Sequence, residues 1–375
     1  MDDARVGALV DAMRGRDGLS FVRAPGRVNL IGDHTDYNDG LVLPLAIDRD
    51  CLVAWRPDGD ARVVVRSLDL GGRVDVAADG SDELGRVEPP WGRFVVGTLR
   101  ALAEHGTPAP GMDAAVASTV PPGSGLSSSA AFAVALALAI TDAAGSELDR
   151  RDVARTAQGA EHLATGVPGG IMDQLASLFG RAGHALLIDC RTLDVDPVSL
   201  PAELAVLVVH SGLPRTLETS AYAERRTACE AVAARLGVPA LRDARPEQVA
   251  DEPRARHVVS ENQRVVDAAA ALRTGDVDTL GPLLLVSHAS LRDDFEVSTP
   301  ELDLLVDLLV EGGALGARLT GAGFGGCVVA LVQRNHADDL AAKTVRRYRD
   351  ATTLEPTAFV ARAVDGAGPV AMGPE

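Results

Sequence analysis

Residues 120–140 read V-P-P-G-S-G-L-S-S-S-A-A-F-A-V-A-L-A-L-A-I. The two prolines cannot continue a helix or a sheet ladder, so they end the element that precedes them. Gly123 and Gly125 permit backbone angles closed to other residues and let a ligand approach the main chain. One of the three serines that follow is expected to cap a helix, and the apolar run after them predicts that this helix is buried. A glycine loop that leads into a helix N-terminus offers N–H groups and a positive dipole end, which favours phosphate.

Two familiar kinds of phosphate loop do not fit this stretch. A Walker A loop needs a lysine, and the chain has a single lysine, Lys343, more than two hundred residues downstream. The dinucleotide pattern needs a third glycine where Ser128 stands. A tight turn before a core helix stays open as an alternative. The serine triplet favours the functional interpretation, because its hydroxyl groups can reach a phosphate or its magnesium ion.

Composition and charge narrow the class of protein. The chain has 375 residues, which suggests two domains, and its apolar content of 46% is ample for a packed core. A net charge of −17 argues against nucleic acid or an anionic membrane as the main partner. The four cysteines are isolated in sequence and the N-terminus is too acidic and polar for a signal peptide. These features predict a cytoplasmic protein with reduced thiols.

The second informative stretch, residues 21–48, places seven polar residues between two predicted strands (27–31 and 41–47). They are Asp33, His34, Thr35, Asp36, Tyr37, Asn38 and Asp39. A solvated turn is one interpretation, since Asn, Asp and Gly form turns. A calcium loop is another, but its spacing is wrong and its final glutamate is absent. Flanking apolar strands favour a third, a sugar site in which carboxylates and a histidine meet hydroxyl groups.

Asp173 follows the helix breakers of T-G-V-P-G-G, in the first turn of a helix predicted from about residue 171. A carboxylate there is electrostatically favoured, so a solvated, dipole-compensating role is an open alternative. Further helices are predicted over 3–14, 92–105, 150–165, 222–236, 261–272 and 300–309. Strands are expected over 51–55, 62–66, 114–120, 185–189 and 205–209, and a boundary between two halves over 194–200. This alternation with hairpins suggests an α+β protein.

A second glycine-rich loop lies in R-L-T-G-A-G-F-G-G-C, residues 318–327, before a buried strand. Its glycines let the backbone come close either to another segment or to ligand phosphates held by the first loop.

Three separated motifs together resemble the GHMP small-molecule kinases: G-R-V-N-L-I-G-D-H-T-D-Y-N-D-G, P-P-G-S-G-L-S-S-S-A-A and L-T-G-A-G-F-G-G-C. The first is similar to the signature of the galactokinase branch, and G-I-M-D-Q, S-A-Y-A-E-R-R and S-H-A-S-L-R-D-D-F resemble further segments of that branch in order. The resemblance spans residues 23–360. It implies a two-domain fold, with a ribosomal-protein-S5-like half (1–198) and a ferredoxin-like half (199–375), and a site between them.

The resemblance also implies roles. Asp173 matches the catalytic aspartate, Arg27 the arginine beside it, and Ser129 and Glu161 the magnesium ligands. The sugar positions are Asp33, His34, Asp36, Gly170 and Tyr222. The ATP positions are Pro122, Gly123, Ser124, Gly125, Leu126, Ser127, Ser128, Ser129 and Gly323.

The implied activity is phosphorylation of the C1 hydroxyl of galactose with ATP and Mg²⁺, by a monomer that binds neither nucleic acid nor membrane. Asp33 departs from the signature, which normally carries glutamate, so its carboxylate reaches about an ångström less far. A kinase for another hexose, an amino sugar or a pentose therefore stays an alternative, as does a non-catalytic sensor of galactose and ATP.

Overall fold

The computed structural model describes residues 3–213 and 218–371. The first half contains α1 (Asp3–Ala12), β1 (Ser20–Asn29), β2 (Leu41–Val42), β3 (Pro44–Pro57), β4 (Arg62–Ser67), β5 (Arg73–Ala77), α2 (Gly92–Glu104), β6 (Met112–Ser118), α3 (Ser128–Ala143), α4 (Arg150–Thr165), α5 (Met172–Phe179), β7 (His184–Asp189) and β8 (Asp194–Ser199). The second half contains β9 (Leu204–His210), α6 (Glu218–Leu236), α7 (Pro253–Thr274), α8 (Val277–Asp293), α9 (Pro300–Glu311), β10 (Gly316–Thr320), β11 (Cys327–Gln333), α10 (Ala337–Ala351), β12 (Thr357–Ala361) and β13 (Gly368–Pro369). The predicted mixture of helices and strands is confirmed.

The strands form three sheets. The largest has the order β13-β1-β3-β6-β4-β5, in which β4 and β6 are parallel and the other neighbours antiparallel. The second, β10-β11-β9-β12, is antiparallel throughout. A small antiparallel sheet, β2-β7-β8, completes the set.

Helix α3 is the buried helix that its sequence predicts. It packs on β1, β3 and the helices α2, α4 and α5. Its residues from Ala130 to Ile140 are almost all buried, because small alanine side chains let these neighbours approach on several sides. The first glycine loop therefore leads into a helix held rigidly in the core of the first half.

Some predicted boundaries are wrong. The strand predicted over 41–47 is interrupted at Leu43, and its second part, β3, continues through the strand predicted over 51–55. The strands on either side of the turn at 57–61 do not pair with each other, because β6 lies between them in the sheet. These features depend on partners far away in sequence, which local patterns do not specify.

The two halves share an apolar core and a strand. Val28 and Ile31 of the first half belong to one buried cluster with Val208, Val265 and Leu331 of the second. Near the C-terminus, β13 returns to pair with β1. A domain division at residue 198 stays a prediction, and the loops that contain the candidate site lie where the halves meet.

Candidate active site

The first glycine loop packs directly on β1. A Cβ added at Gly26 would lie 2.6 Å from the carbonyl oxygen of Leu126, and the N–H of Arg27 donates to that oxygen at 3.1 Å. Gly123 and Gly125 have positive φ angles of 66° and 81°. This backbone turns the loop so that the N-terminus of α3 opens onto a cavity of about 320 Å³.

Ser127 precedes α3 in a left-handed conformation, with φ 62° and ψ 45°. The expectation that one of the serines caps the helix through its side chain is not met by this residue. Its hydroxyl donates instead to Oδ2 of Asp173, because the left-handed backbone directs the side chain toward α5. Left-handed geometry is uncommon outside glycine and recurs at functional sites.

Asp173 is held in place by Arg27. Nε of Arg27 lies 2.7 Å from Oδ1 of Asp173 and Nη2 lies 2.8 Å from Oδ2, so the pair is bidentate. Nη1 of the same guanidinium donates to the carbonyl oxygen of Gly125 at 2.5 Å. Asp173 thus lies in the first turn of α5 with its carboxylate paired to Arg27 and Ser127.

All seven predicted catalytic and sugar positions line this one cavity: Arg27, Asp33, His34, Asp36, Gly170, Asp173 and Tyr222. Six predicted phosphate and metal positions also line it: Gly123, Gly125, Ser127, Ser128, Ser129 and Glu161. Arg27 lies in β1 and Asp173 in α5, and the others come from loops and from α3, α4 and α6. Residues distant in sequence therefore converge on one space large enough for a small ligand.

Four predicted ATP positions do not line it. Leu126 and Ser124 are buried, with the Ser124 hydroxyl donating to the carbonyl oxygen of Pro121. Pro122 faces a neighbouring cavity. Gly323 packs on Val297, whose carbonyl oxygen would lie 2.3 Å from an added Cβ. Gly323 therefore lies very close to another segment of the chain, which is one of the two alternatives given for the second glycine loop. Its contact with ATP stays a prediction.

The side chain of His34 lines the cavity as a neutral imidazole. Burial, followed by the charge of His257, lowers its pKa to about 3. Its Nε2 lies 3.2 Å from the carbonyl oxygen of Ala322, and its Nδ1 lies 2.9 Å from the hydroxyl of Tyr37. A carbonyl only accepts, so Nε2 carries the proton and Nδ1 accepts from Tyr37.

Two carboxyl groups in the cavity have raised pKa values. Burial, and then the nearby negative charge of Asp173, raises the pKa of Asp36 to about 7. Burial also raises the pKa of Glu161 to about 7, although the hydroxyl of Ser129 donates to its Oε1 at 2.5 Å and Gln174 to its Oε2 at 2.7 Å. Both groups have oxygen atoms that a ligand or a cation would stabilise in the charged form.

The pKa of Asp36 predicts a pH effect on stability. A carboxyl whose pKa rises on folding binds more protons in the folded state, so the free energy of unfolding falls as pH rises from about 4 to about 7. Asp36→Asn removes this contribution. We expect its Tm to equal that of the wild type at about pH 4 or below and to exceed it by about 1–3 °C at pH 8, since Asp36 is partly exposed.

Thermal melts of the unliganded protein across this pH range check the expectation. Asp152→Asn, on the exposed face of α4, is the matched control. Parallel Tm curves for wild type and Asp36→Asn would contradict it.

A second cavity, of about 240 Å³, adjoins the first at Ser128 and Ser129. Its wall is mainly apolar and includes Trp91, Phe132 and Pro122. This pocket was not predicted, because its residues come from five separate segments and no local sequence pattern joins them. An apolar slot beside a phosphate-type loop suits a flat aromatic group.

A buried polar layer was also missed. It lies behind the loop that contains Asp33 and His34, which we call the sugar loop after its predicted role. The layer contains Arg318 of β10, Glu261 and His257 of α7, and Ser287 of α8. The available signal was a charged residue, Arg318, inside an apolar strand before the second glycine loop. No side-chain partner for it is visible in the sequence.

Two absences concern residues 3–213 and 218–371. Within these ranges no helix is both long and apolar enough to cross a membrane. In the same part of the chain, no three His, Cys, Asp or Glu side chains converge to form a metal site. A magnesium ion bound with nucleotide needs fewer protein ligands, because phosphates and water supply the rest.

Three family descriptions match the chain. Residues 93–181 match the GHMP kinases N terminal domain, residues 268–350 the GHMP kinases C terminal, and residues 12–57 the galactokinase galactose-binding signature. A galactokinase of Roseiflexus sp. (strain RS-1) is 48% identical over 365 residues, which cover 93% of each chain.

Solved structures agree with these matches. A galactokinase of Lactococcus lactis, complexed with galactose, superposes with a TM-score of 0.91 and 30% identity over 98% of this chain and 99% of the other. The mevalonate kinase of Methanococcus jannaschii shares the fold at a TM-score of 0.67 and 19% identity, over 93% of this chain and all of the other. The expected two-domain GHMP fold is thereby confirmed, and the chain belongs to the galactokinases of the GHMP kinase family.

Proposed function

We propose that this chain transfers the γ-phosphoryl group of ATP to the C1 hydroxyl of galactose, giving α-galactose 1-phosphate and ADP. One observation carries the proposal: the Asp173–Arg27 pair lines the same cavity as the loop that contains Asp33, His34 and Asp36 and as the first glycine loop. A reaction of this type depends mainly on positioning and on charge stabilisation.

The sugar occupies the side of the cavity formed by Asp33, His34, Asp36, Gly170 and Tyr222. Their carboxylates, backbone and phenol offer the mixed donors and acceptors that sugar hydroxyls require. The C1 hydroxyl then faces Asp173. The oxygen of the C1 hydroxyl forms a bond to the γ-phosphorus while the bond from that phosphorus to the β–γ bridging oxygen breaks.

Asp173 takes or orients the hydroxyl proton as this bond forms. Arg27 neutralises the carboxylate before the reaction and stabilises negative charge that develops beside it. The same guanidinium is bonded to the backbone of Gly125 at 2.5 Å. Arg27 therefore fixes the distance between the proton acceptor and the phosphate loop.

The ATP phosphates lie on the backbone of the glycine loop at the N-terminus of α3, where N–H groups and the helix dipole stabilise anions. Ser129 and Glu161 would hold Mg²⁺, since both present the oxygen donors that this ion prefers, 2.5 Å apart. The ion supplies neutralisation of phosphate charge. Its use here, like a monomeric state and a cytoplasmic location, remains a prediction.

The deciding experiment measures ADP release from ATP and Mg²⁺ with a panel of sugars. The panel contains galactose, 2-deoxygalactose, galactosamine, N-acetylgalactosamine, glucose, mannose and arabinose. Galactose is expected to give the highest kcat/KM, with phosphate at C1 of the product by NMR. Dominance of another sugar would replace galactose as the substrate, and binding of galactose without turnover would indicate a sensor.

The base of ATP is expected to occupy the apolar cavity. The chain has two tryptophans: Trp91, in the wall of this cavity, and Trp55, buried in β3. Addition of ATP or ADP should change tryptophan fluorescence, because a nucleobase would stack beside Trp91. Trp91→Phe should remove this change and Trp55→Phe should keep it. A signal that survives Trp91→Phe would contradict this placement of the base.

A further inference from the structure

Arg318 is a fully buried charged residue in the central part of β10. Its guanidinium points from the second half of the protein toward the loop that contains Asp33 and His34. A buried charge is costly unless it is paired. Its partners therefore indicate why an arginine stands in an otherwise apolar strand.

Arg318 holds the sugar loop at two points. Its Nη2 lies 2.6 Å from Oδ2 of Asp33, in an ion pair whose alignment is not that of a good hydrogen bond. Its Nη1 donates to the carbonyl oxygen of Leu30 at 3.0 Å. The other oxygen of Asp33, Oδ1, accepts from the N–H of Gly321 at 3.0 Å. Asp33 is thus fixed on one side by Arg318 and on the other by the second glycine loop.

Glu261 completes the pairing. It lies 3.9 Å from Arg318 and accepts from the N–H of Gly32 at 2.9 Å and from the hydroxyl of Ser287 at 2.6 Å. Arg264 donates to its second oxygen at 2.6 Å. Two carboxylates and two guanidiniums therefore balance in charge in a layer behind the sugar loop.

Burial works to raise the pKa of both carboxyl groups. For Glu261 the charges of Arg318, His257 and Arg264 prevail and the pKa falls to about 2, whereas the pKa of Asp33 remains above its usual value. Glu261 is therefore a fixed anion, and Asp33 depends on Arg318 to carry its charge. Loss of Arg318 would change the position and the protonation of Asp33 before those of Glu261.

We infer that Arg318 is a positioning residue for the sugar subsite, which holds Asp33 against the second glycine loop and thereby fixes the rear wall of the cavity. This inference rests on the proposed function, because it assigns the Asp33 side of the cavity to the sugar. It extends that function to a residue that does not line the cavity. A buried ion pair seldom stabilises a fold more than apolar residues of similar volume, so stability alone does not account for Arg318.

The first test compares Michaelis constants. Arg318→Met is expected to raise the KM for galactose about tenfold or more and to leave the KM for ATP within about twofold, because the contacts of Arg318 are to Leu30, Asp33 and Glu261, none of which belongs to the first glycine loop. Arg318→Lys should recover part of the loss, since it restores charge without the forked geometry. Arg264→Met is the matched control, because it removes the other guanidinium that pairs with Glu261. The ion pair of Asp33 is with Arg318 and not with Arg264, so this variant should keep both KM values near those of the wild type.

A double-mutant cycle tests whether Arg318 acts through Asp33, and it also serves if Arg318→Met does not fold. Asp33→Asn, Arg318→Lys and the pair are compared by the Kd for galactose from calorimetry, with Tm measured in parallel. If Arg318 acts through Asp33, the double variant should bind galactose no more weakly than the weaker single variant.

Several results would overturn the inference. They are additive losses in the cycle, equal rises in both KM values for Arg318→Met, or an Arg264→Met variant as impaired for galactose as Arg318→Met. Failure of the proposed function is distinguishable, because it appears in the wild type. Galactose binding without turnover would remove the kinase assignment but leave the cycle measurable, and a wild type that does not bind galactose would remove both.

Discussion

Asp173→Asn is expected to lower kcat for galactose phosphorylation by about 10²–10⁴-fold, the range that general acid–base groups contribute. The amide has nearly the same shape as the carboxylate but lacks its charge and has one acceptor oxygen. In the structure three donors converge on this carboxylate, two from Arg27 and one from Ser127. An amide cannot satisfy them all, so both proton acceptance and the position of Arg27 are lost.

The measurement combines kcat from ADP release with the Kd for galactose from calorimetry. Galactose affinity should change little, because the five predicted sugar positions keep their side chains, although loss of the Asp173 charge lowers the pKa of Asp36. Asp152→Asn, at an exposed site on α4, controls for the substitution itself. A kcat within about tenfold of the wild type would lie below the range for a general base and remove Asp173 from that role. Tm values should accompany the assay, since Arg27 is only 5% exposed and loses a charged partner.

The sequence predicted the parts of this site that are local. The proline–glycine–serine order specifies a turn and a helix start, and the apolar run specifies burial, so α3 and its loop followed from 21 residues. The same holds for the helix that begins near residue 171. The pairing of Arg27 with Asp173, 146 residues apart, came from the resemblance and not from spacing.

What the sequence did not predict depends on contacts between distant segments. The helix-capping expectation failed for Ser127 because its hydroxyl is bonded to Asp173, on another helix. The buried polar layer around Arg318 was missed because its members lie on β10, α7 and α8. Arg318 stands out in an apolar strand, but nothing in the local pattern indicates its partners. Likewise, β6 separates β3 from β4, although a turn alone joins those two in sequence.

Gly170 packs against the Asp36 carboxylate so closely that there is no room for a side chain at this position. A substitution at Gly170 therefore tests whether Asp36 binds the sugar. A Cβ at this position would lie 1.9 Å from Oδ2 of Asp36 and 2.1 Å from its Cγ. Such contacts are impossible, so Gly170→Ala must turn the Asp36 carboxylate away from its present position. If Asp36 binds a sugar hydroxyl, the loss of a hydrogen bond to a charged group should raise the KM for galactose about 10–100-fold.

Gly169→Ala is the matched control, because it adds the same methyl group one residue earlier with no atom within 4 Å of it. Its KM for galactose should stay close to that of the wild type. The KM for ATP should be unaffected in both variants, since the glycine loop is untouched. Equal galactose KM values for the two variants would show that Asp36 can leave its position without cost, and Asp36 would no longer be a sugar ligand. A selective loss in Gly170→Ala instead assigns sugar binding to the Asp36 wall, independently of the Arg318 side.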